Sequence, residues 1–343
     1  MKSSFLERGT QAETEVIMRN VHPLVSPRFA GASAWNSSTL PADAGVLALP
    51  RECLAEIADL AGVLEDNPLP TLALDPCDFD LPACRDLMAR AHAMLETGPG
   101  FVILDRLPLQ TLQKETSIKV YWLLARMLAR PVAQKWTGEM IYTVADLTGK
   151  KPGNGIRPDI TNAEQNFHND NSYNVCPPDY VALLCLQTAK SGGVSRVVSF
   201  ETAHNLMQER HPELLERLFR PYRFDRQREH AAGAEMTISR PVFVLEGDRL
   251  KSRLSRYLIE QGHDLAGERL DDAGRAALEA LTAIIDDPAL YKEFYFEPGQ
   301  IQILDNRRLG HKRTGFEDWP EPERRRTLIR LWLRNRGRPF YGG

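Results

Sequence analysis

His168 and Asp170 stand two residues apart in the segment Gln165-Asn-Phe-His-Asn-Asp170. On a strand, residues i and i+2 project from the same face, so one imidazole and one carboxylate would converge on a single point. Alone the pair says little, because such neighbours meet by chance and a surface histidine with a satisfied partner is the commoner outcome. A third ligand changes its meaning. His311 follows the strand-like run Gly299-Gln-Ile-Gln-Ile-Leu-Asp-Asn306. Two histidines and one carboxylate make a facial triad that leaves positions open on octahedral Fe(II). A chelating 2-oxo acid would take two of them and dioxygen a third.

A 2-oxo acid co-substrate also needs its far carboxylate held, and the planar fork of a guanidinium matches a carboxylate. Arg324-Arg-Arg-Thr-Leu-Ile-Arg330 lies shortly after His311. On a strand, Arg326 and Arg330 share a face and Arg325 points away. The competing reading is a solvated basic patch: Arg307 to Arg338 holds eleven basic against four acidic residues.

The elements that must position these groups fall into two textures. Residues 1–35 show no sustained period and read as an N-terminal arm; residues 36–343 read as a single catalytic domain. Early helices are expected at Leu49–Val63, Asp80–Leu95 and Leu112–Leu128, the last stopped by Pro131, with a short strand at Phe101–Leu104. After about residue 135 come short strands with turn signals: Met140–Val144, Gln165–Asp170, Tyr180–Gln187, Ser195–Val198, Val242–Leu245, Phe294–Phe296, Ile301–Leu304 and Thr327–Leu333. Helical patches interrupt them at Glu201–Phe219 and Asp272–Ile285. This predicts a mainly β, α+β fold, a sandwich or barrel with flanking helices. There is no GxGxxG and no GxxxxGK[ST] motif, so no nucleotide cradle is evident.

Composition narrows the classes further. The 343 residues carry 43 Lys and Arg against 46 Asp and Glu, a net charge of −3, which excludes the cationic excess of a general nucleic-acid binder. No apolar run is long enough for a membrane span, and the polar N-terminus lacks the apolar core of a secretory signal. Five cysteines without a CxxC pair argue against a disulfide framework or a four-cysteine zinc site, and fit a reducing cytoplasm. The other histidines, at 22, 92, 204, 211, 230 and 263, have no metal-ligand spacing and read as surface or core residues. Trp319 reads as a loop anchor.

Two stretches, FHNDNSYNVCPPDYVALLCLQTAKSGGVSRVVS and GQIQILDNRRLGHKRTGFEDWPEPERRRTLIRLWL, resemble the signature regions of the taurine dioxygenase-like (TauD/TfdA) family of Fe(II)- and 2-oxoglutarate-dependent oxygenases. The shared pattern is HxD, a Pro-Pro pair, a Gly-Gly pair, and a DNR…H…RR…R ending. The resemblance is strongest over 160–200 and 295–343. It implies a double-stranded β-helix (jelly-roll) core, His168, Asp170 and His311 as iron ligands, Arg326 with Ser195 on the distal carboxylate of 2-oxoglutarate, and Arg330 and Asn171 beside the substrate. It also implies a small-molecule substrate, with succinate and CO2 released as an unactivated C–H is hydroxylated, and a homo-oligomer, dimer or tetramer.

One departure bears on the substrate. Taurine-type members grip a sulfonate with a histidine upstream of the HxD, and this chain has none between Gly98 and Phe167. Met140, Tyr142 and Arg157 are the residues available there instead, and Arg256 in Ser252–Tyr257 could pair with a substrate acid. The expected substrate is a small, polar, carboxylate-bearing, amino-acid-like metabolite. A non-catalytic metal-binding jelly roll and a zinc hydrolase are the other readings of the triad; the second leaves Arg326 without a role.

Overall fold

A computed structural model describes residues 27–147, 149 and 158–343. Most of the N-terminal arm, His22 and Arg157 lie outside the described residues. In chain order the elements are β1 Val46–Ala48, α1 Arg51–Asp66, α2 Pro82–Glu96, β2 Phe101–Asp105, α3 Lys114–Leu128, β3 Arg130–Val132, β4 Tyr142–Val144, β5 Gln165–His168 and β6 Tyr180–Gln187. Next come β7 Ser191–Gly192, β8 Ser195–Ser199, α4 Phe200–Arg210, α5 Pro212–Leu218, β9 Tyr222–Asp225, β10 Thr237–Arg240, β11 Phe243–Glu246 and β12 Arg249–Ser252. The chain closes with α6 Arg256–Ala266, α7 Asp272–Ile285, β13 Tyr291–Phe294, β14 Ile301–Asp305, β15 Leu309–Arg313, β16 Phe316–Glu317 and β17 Thr327–Arg334.

The strands form a jelly roll. One sheet runs β1-β2-β14-β6-β17-β3 with β4 added against β17, and a four-stranded sheet runs β13-β8-β15-β5. Alternation along the central strands of the large sheet separates two environments. Tyr180, Ala182 and Leu184 of β6 and Ile329, Leu331 and Leu333 of β17 pack with α1, α2 and α3. From the opposite face, Val181 and Trp332 join Phe167, Val197 and Leu309 of the small sheet in one core. The functional residues of β17 therefore lie between the sheets, on the face away from the helices.

The early helices stand where periodicity placed them. Pro50 serves as N-cap of α1, its missing N–H costing nothing there, and α3 ends at Leu128 ahead of Pro131. Several expectations need correction. The 201–219 patch is two helices, because Pro212 cannot continue α4 and instead opens α5. The strand expected at 294–296 lies at Tyr291–Phe294, where it pairs with β8. The strand carrying His168 ends at that residue, and Asp170 sits in the turn that follows. The described end of the arm packs on the body: Asn205 exchanges hydrogen bonds with the Phe29 backbone, and buried Trp35 donates its Nε1–H to the Pro99 carbonyl. All five cysteines are free. Among the described residues no helix is long and apolar enough to cross a membrane.

Candidate active site

Strand register assembles the two histidines. β15 pairs antiparallel with β5 so that His311 stands opposite His168, and their ring centroids are 4.3 Å apart. Asp170 reaches the same point from its turn, with Oδ1 3.4 Å from His168 Nε2 and 3.6 Å from His311 Nε2. One ligand atom from each residue lies within 4.8 Å of the others.

The turn is fixed by two asparagines. Asn169 donates to the Asn306 and Leu309 carbonyls at 2.6 and 3.0 Å and accepts from the Leu254 N–H at 2.7 Å. Asn306, fully buried, accepts from the Asp170 N–H at 2.8 Å and donates to the Asp170 and Pro178 carbonyls. The middle residue of HxD and the Asn of Asp305-Asn306 thus lock the turn to the β14–β15 connection.

The two oxygens of Asp170 are differentiated. Oδ2 accepts from Trp332 Nε1–H at 2.7 Å and faces Arg330 Nη1 at 3.2 Å, which leaves Oδ1 toward the histidines. Burial alone would raise the Asp170 pKa; Arg330 and the two imidazoles outweigh it and hold the carboxyl well below its ordinary value. His168 donates Nδ1–H to the Asn166 carbonyl at 2.8 Å, which presents the lone pair of Nε2 inward. Burial and the neighbouring His168 push His311 toward its neutral form, the form that ligates. Two imidazole nitrogens and one ionised carboxylate oxygen, converging on one point, fit a facial-triad iron.

The triad opens into a cavity of about 320 Å³. Arg326, just before β17, and Arg330 both line it, whereas Arg325 is exposed on the other side. Arg326 is 5% exposed, its Nη1 has no partner, and burial pushes its pKa down to about 10. Gly193 makes room for it: at φ +68° a Cβ there would stand 3.2 Å from Arg326 Nε. Ser195 lines the same end and donates to Gln302 Oε1. Arg330 donates Nε–H to Gln134 Oε1 at 2.8 Å, faces Asp159 at 3.4 Å, and lies over the Tyr142 and Trp332 rings.

The remaining candidates divide. Asn171 lines the cavity in a left-handed conformation, φ 54°, with Oδ1 taken by the Tyr341 hydroxyl and Nδ2 unpartnered. Tyr142 is buried behind Arg330 rather than in the cavity wall. Met140 packs against the helix-side core, outside the residues that line the cavity. Arg256 stands at the rim, engaged by Glu260 at 2.8 Å, so it is not a spare cation. Trp319 lies outside the wall, with Arg324 stacked 3.6 Å over its ring. The sequence reading missed Trp332, Gln134, Asp159 and Arg313. Only Arg313 carried a signal, its i+2 spacing from His311.

A jelly roll with a two-histidine, one-carboxylate centre between its sheets defines a non-haem iron oxygenase. The chain belongs to the Taurine catabolism dioxygenase TauD, TfdA family, which matches residues 65–332. It is 27% identical over 316 residues to FR-33289 synthase of Streptomyces rubellomurinus, covering 90% of this chain and 91% of that protein. It is 28% identical over 149 residues to the uridine-5'-phosphate dioxygenase of an Amycolatopsis species, covering 43% of this chain and 52% of that protein. Among solved structures it resembles asparagine oxygenase in complex with Fe(II), 3-hydroxyasparagine and succinate, with a TM-score of 0.63 and 20% identity over 85% of this chain and 94% of that one. The non-haem iron oxygenase OrfP, in complex with Fe and alpha-ketoglutaric acid, superimposes with a TM-score of 0.59 and 15% identity over the same shares. The fold of this chain is the fold of those enzymes.

Proposed function

We propose that this protein is a Fe(II)- and 2-oxoglutarate-dependent dioxygenase that hydroxylates an unactivated C–H of a small, carboxylate-bearing, amino-acid-like metabolite, releasing succinate and CO2. The observation that carries the reading is the convergence of His168, Asp170 and His311 on one point of a cavity that also holds the buried Arg326 guanidinium. Iron bound by these three ligands supplies the oxidising power, drawn from dioxygen and the 2-oxo acid. Arg326 and Ser195 take the distal carboxylate of that acid. A zinc hydrolase or a bare binding protein would have no use for a buried guanidinium whose Nη1 stands without a partner.

The substrate class follows from Arg330 and Asp159. Arg330 faces Asp170 with Nη1 and Asp159 with Nη2, and each Nη keeps a second N–H for a substrate carboxylate. It faces Asp159 across 3.4 Å at the cavity wall, and both line that wall. A cation and an anion side by side match a zwitterion: a carboxylate beside Arg330 and an ammonium beside Asp159. The likeness to asparagine oxygenase and to OrfP, whose structures hold hydroxyasparagine and L-Arg, supports an amino acid over a simple anion.

The test is a panel of free amino acids, their N-acetyl and amide derivatives, and uridine 5'-phosphate, read by succinate formation and by a product one oxygen atom heavier. The account predicts that a free amino acid is the best substrate. Asp159→Asn should raise its KM by about tenfold or more while leaving 2-oxoglutarate affinity near that of the parent. Best turnover of an N-acetylated compound or of the nucleotide would contradict the zwitterion reading and leave the iron chemistry standing.

A further inference from the structure

Arg313 is a buried cation of this cavity that the proposed function does not use. It follows His311 by two residues on β15, so both side chains leave the same face of the strand, about 6.8 Å apart along it. Both line the cavity, and Ser195 is the partner of Arg313 in the β8–β15 register. Arg313 as a whole is 6% exposed; Nη2 donates to the Thr161 and Ala163 carbonyls, while Nε and Nη1 have no partner. Arg326 is in the same condition, buried with Nη1 unpartnered. The two guanidiniums share one aromatic support, lying 4.7 and 5.1 Å from the Phe316 ring centroid.

Arg326 repels Arg313, an effect that Asp159, Asp146 and Asp318 oppose, and each guanidinium keeps N–H groups without the hydrogen bonds that burial demands. An anion between them relieves both costs at once. We propose that Arg313 is a second guanidinium for the co-substrate, closing with Arg326 on its distal carboxylate and making the site selective for a dicarboxylic 2-oxo acid. The inference rests on the assignment of this end of the cavity to 2-oxoglutarate. One strand period from the iron-ligating His311 suits a five-carbon diacid whose other end is held at the metal. The competing role for Arg313 is a brace for the 161–163 turn.

Binding separates the two without turnover. Iron-loaded protein under anaerobic conditions is titrated with 2-oxoglutarate and with 2-oxovalerate, which has the same chelating end and no distal carboxylate, reading the visible charge-transfer band. The parent should prefer 2-oxoglutarate strongly. Arg313→Met should weaken 2-oxoglutarate about 10- to 100-fold and leave 2-oxovalerate within about twofold. Arg313→Lys, which keeps the charge and loses the fork, should fall between them and guards against a folding defect in the first variant. Equal weakening of both acids, or of neither, makes Arg313 a brace and overturns the inference. Discrimination lost in Arg326→Met but kept in Arg313→Met overturns it alone, with the co-substrate site intact. A parent that fails to prefer 2-oxoglutarate brings down both.

Discussion

Asp170 carries different partners on its two oxygens, Trp332 and Arg330 on Oδ2 and the two histidines on Oδ1. This division turns a flexible carboxylate into a ligand aimed one way, because the indole N–H and the guanidinium remove the alternative rotation. Trp332→Phe keeps the ring and deletes the donor. It should weaken Fe(II) binding about 10- to 100-fold with the fold retained, measured by anaerobic metal titration and circular dichroism. Iron affinity equal to the parent's would make the indole contact incidental. The triad was legible at this scale because the chain has only eight histidines and their ligand chemistry is restrictive. Trp332 was not: a tryptophan in an apolar strand looks the same whether its N–H meets a carboxylate or a carbonyl. Arg330 was legible as a cavity residue, but its partners Asp159, in a short 3-10 turn, and Gln134, in a loop, lie far away in sequence.

The strands supply the positions. β15 lies between β5 and β8, and that register sets His311 against His168 and Arg313 against Ser195. The turn after β5 is pinned by Asn306 rather than by strand pairing. Asn306→Ala would leave the Asp170 N–H and two carbonyls without their buried partner. The expected loss is about 2–4 kcal/mol of unfolding free energy in urea titration of the metal-free protein, with iron affinity reduced as well. A loss below about 0.5 kcal/mol would show that solvent replaces the clamp. Long apolar or strongly periodic elements were readable: Tyr180–Gln187 and Asp272–Ile285 stand at the expected bounds. β15 was invisible because Leu-Gly-His-Lys-Arg has no apolar alternation; two of its three inward residues, His311 and Arg313, are polar for the site's sake. The β9–β10 hairpin escaped for a related reason, since its strands are short and ten irregular residues or more separate them.

At the scale of the molecule, helices cover one face of the large sheet and the small sheet covers the other, so the site lies between the sheets among buried charges. Such an interior makes stability depend on pH. His204, in contact with Phe29, Phe219 and Phe243, is pushed by burial from 6.5 down to about 4. Between those values the unfolded chain binds a proton that the folded chain refuses, so stability falls as pH drops through the window, by on the order of 3 kcal/mol from this residue. His204→Phe should flatten the fall in Tm between pH 6.5 and 4 while leaving Tm at pH 7 near the parent's; an unchanged slope would place the effect elsewhere. The resemblance of the two signature stretches made the jelly roll legible, whereas the pairing of sheets over the site depends on contacts between distant residues that no local pattern carries. The central claim, a facial-triad iron with a chelating 2-oxo acid, is tested most directly by anaerobic titration of the metal-free protein with Fe(II) and then 2-oxoglutarate. The account predicts one Fe(II) per chain, a weak visible charge-transfer band on adding 2-oxoglutarate, and loss of both in folded His168→Ala and Asp170→Ala proteins. Iron bound equally well by both variants, or no band in the parent, would contradict it.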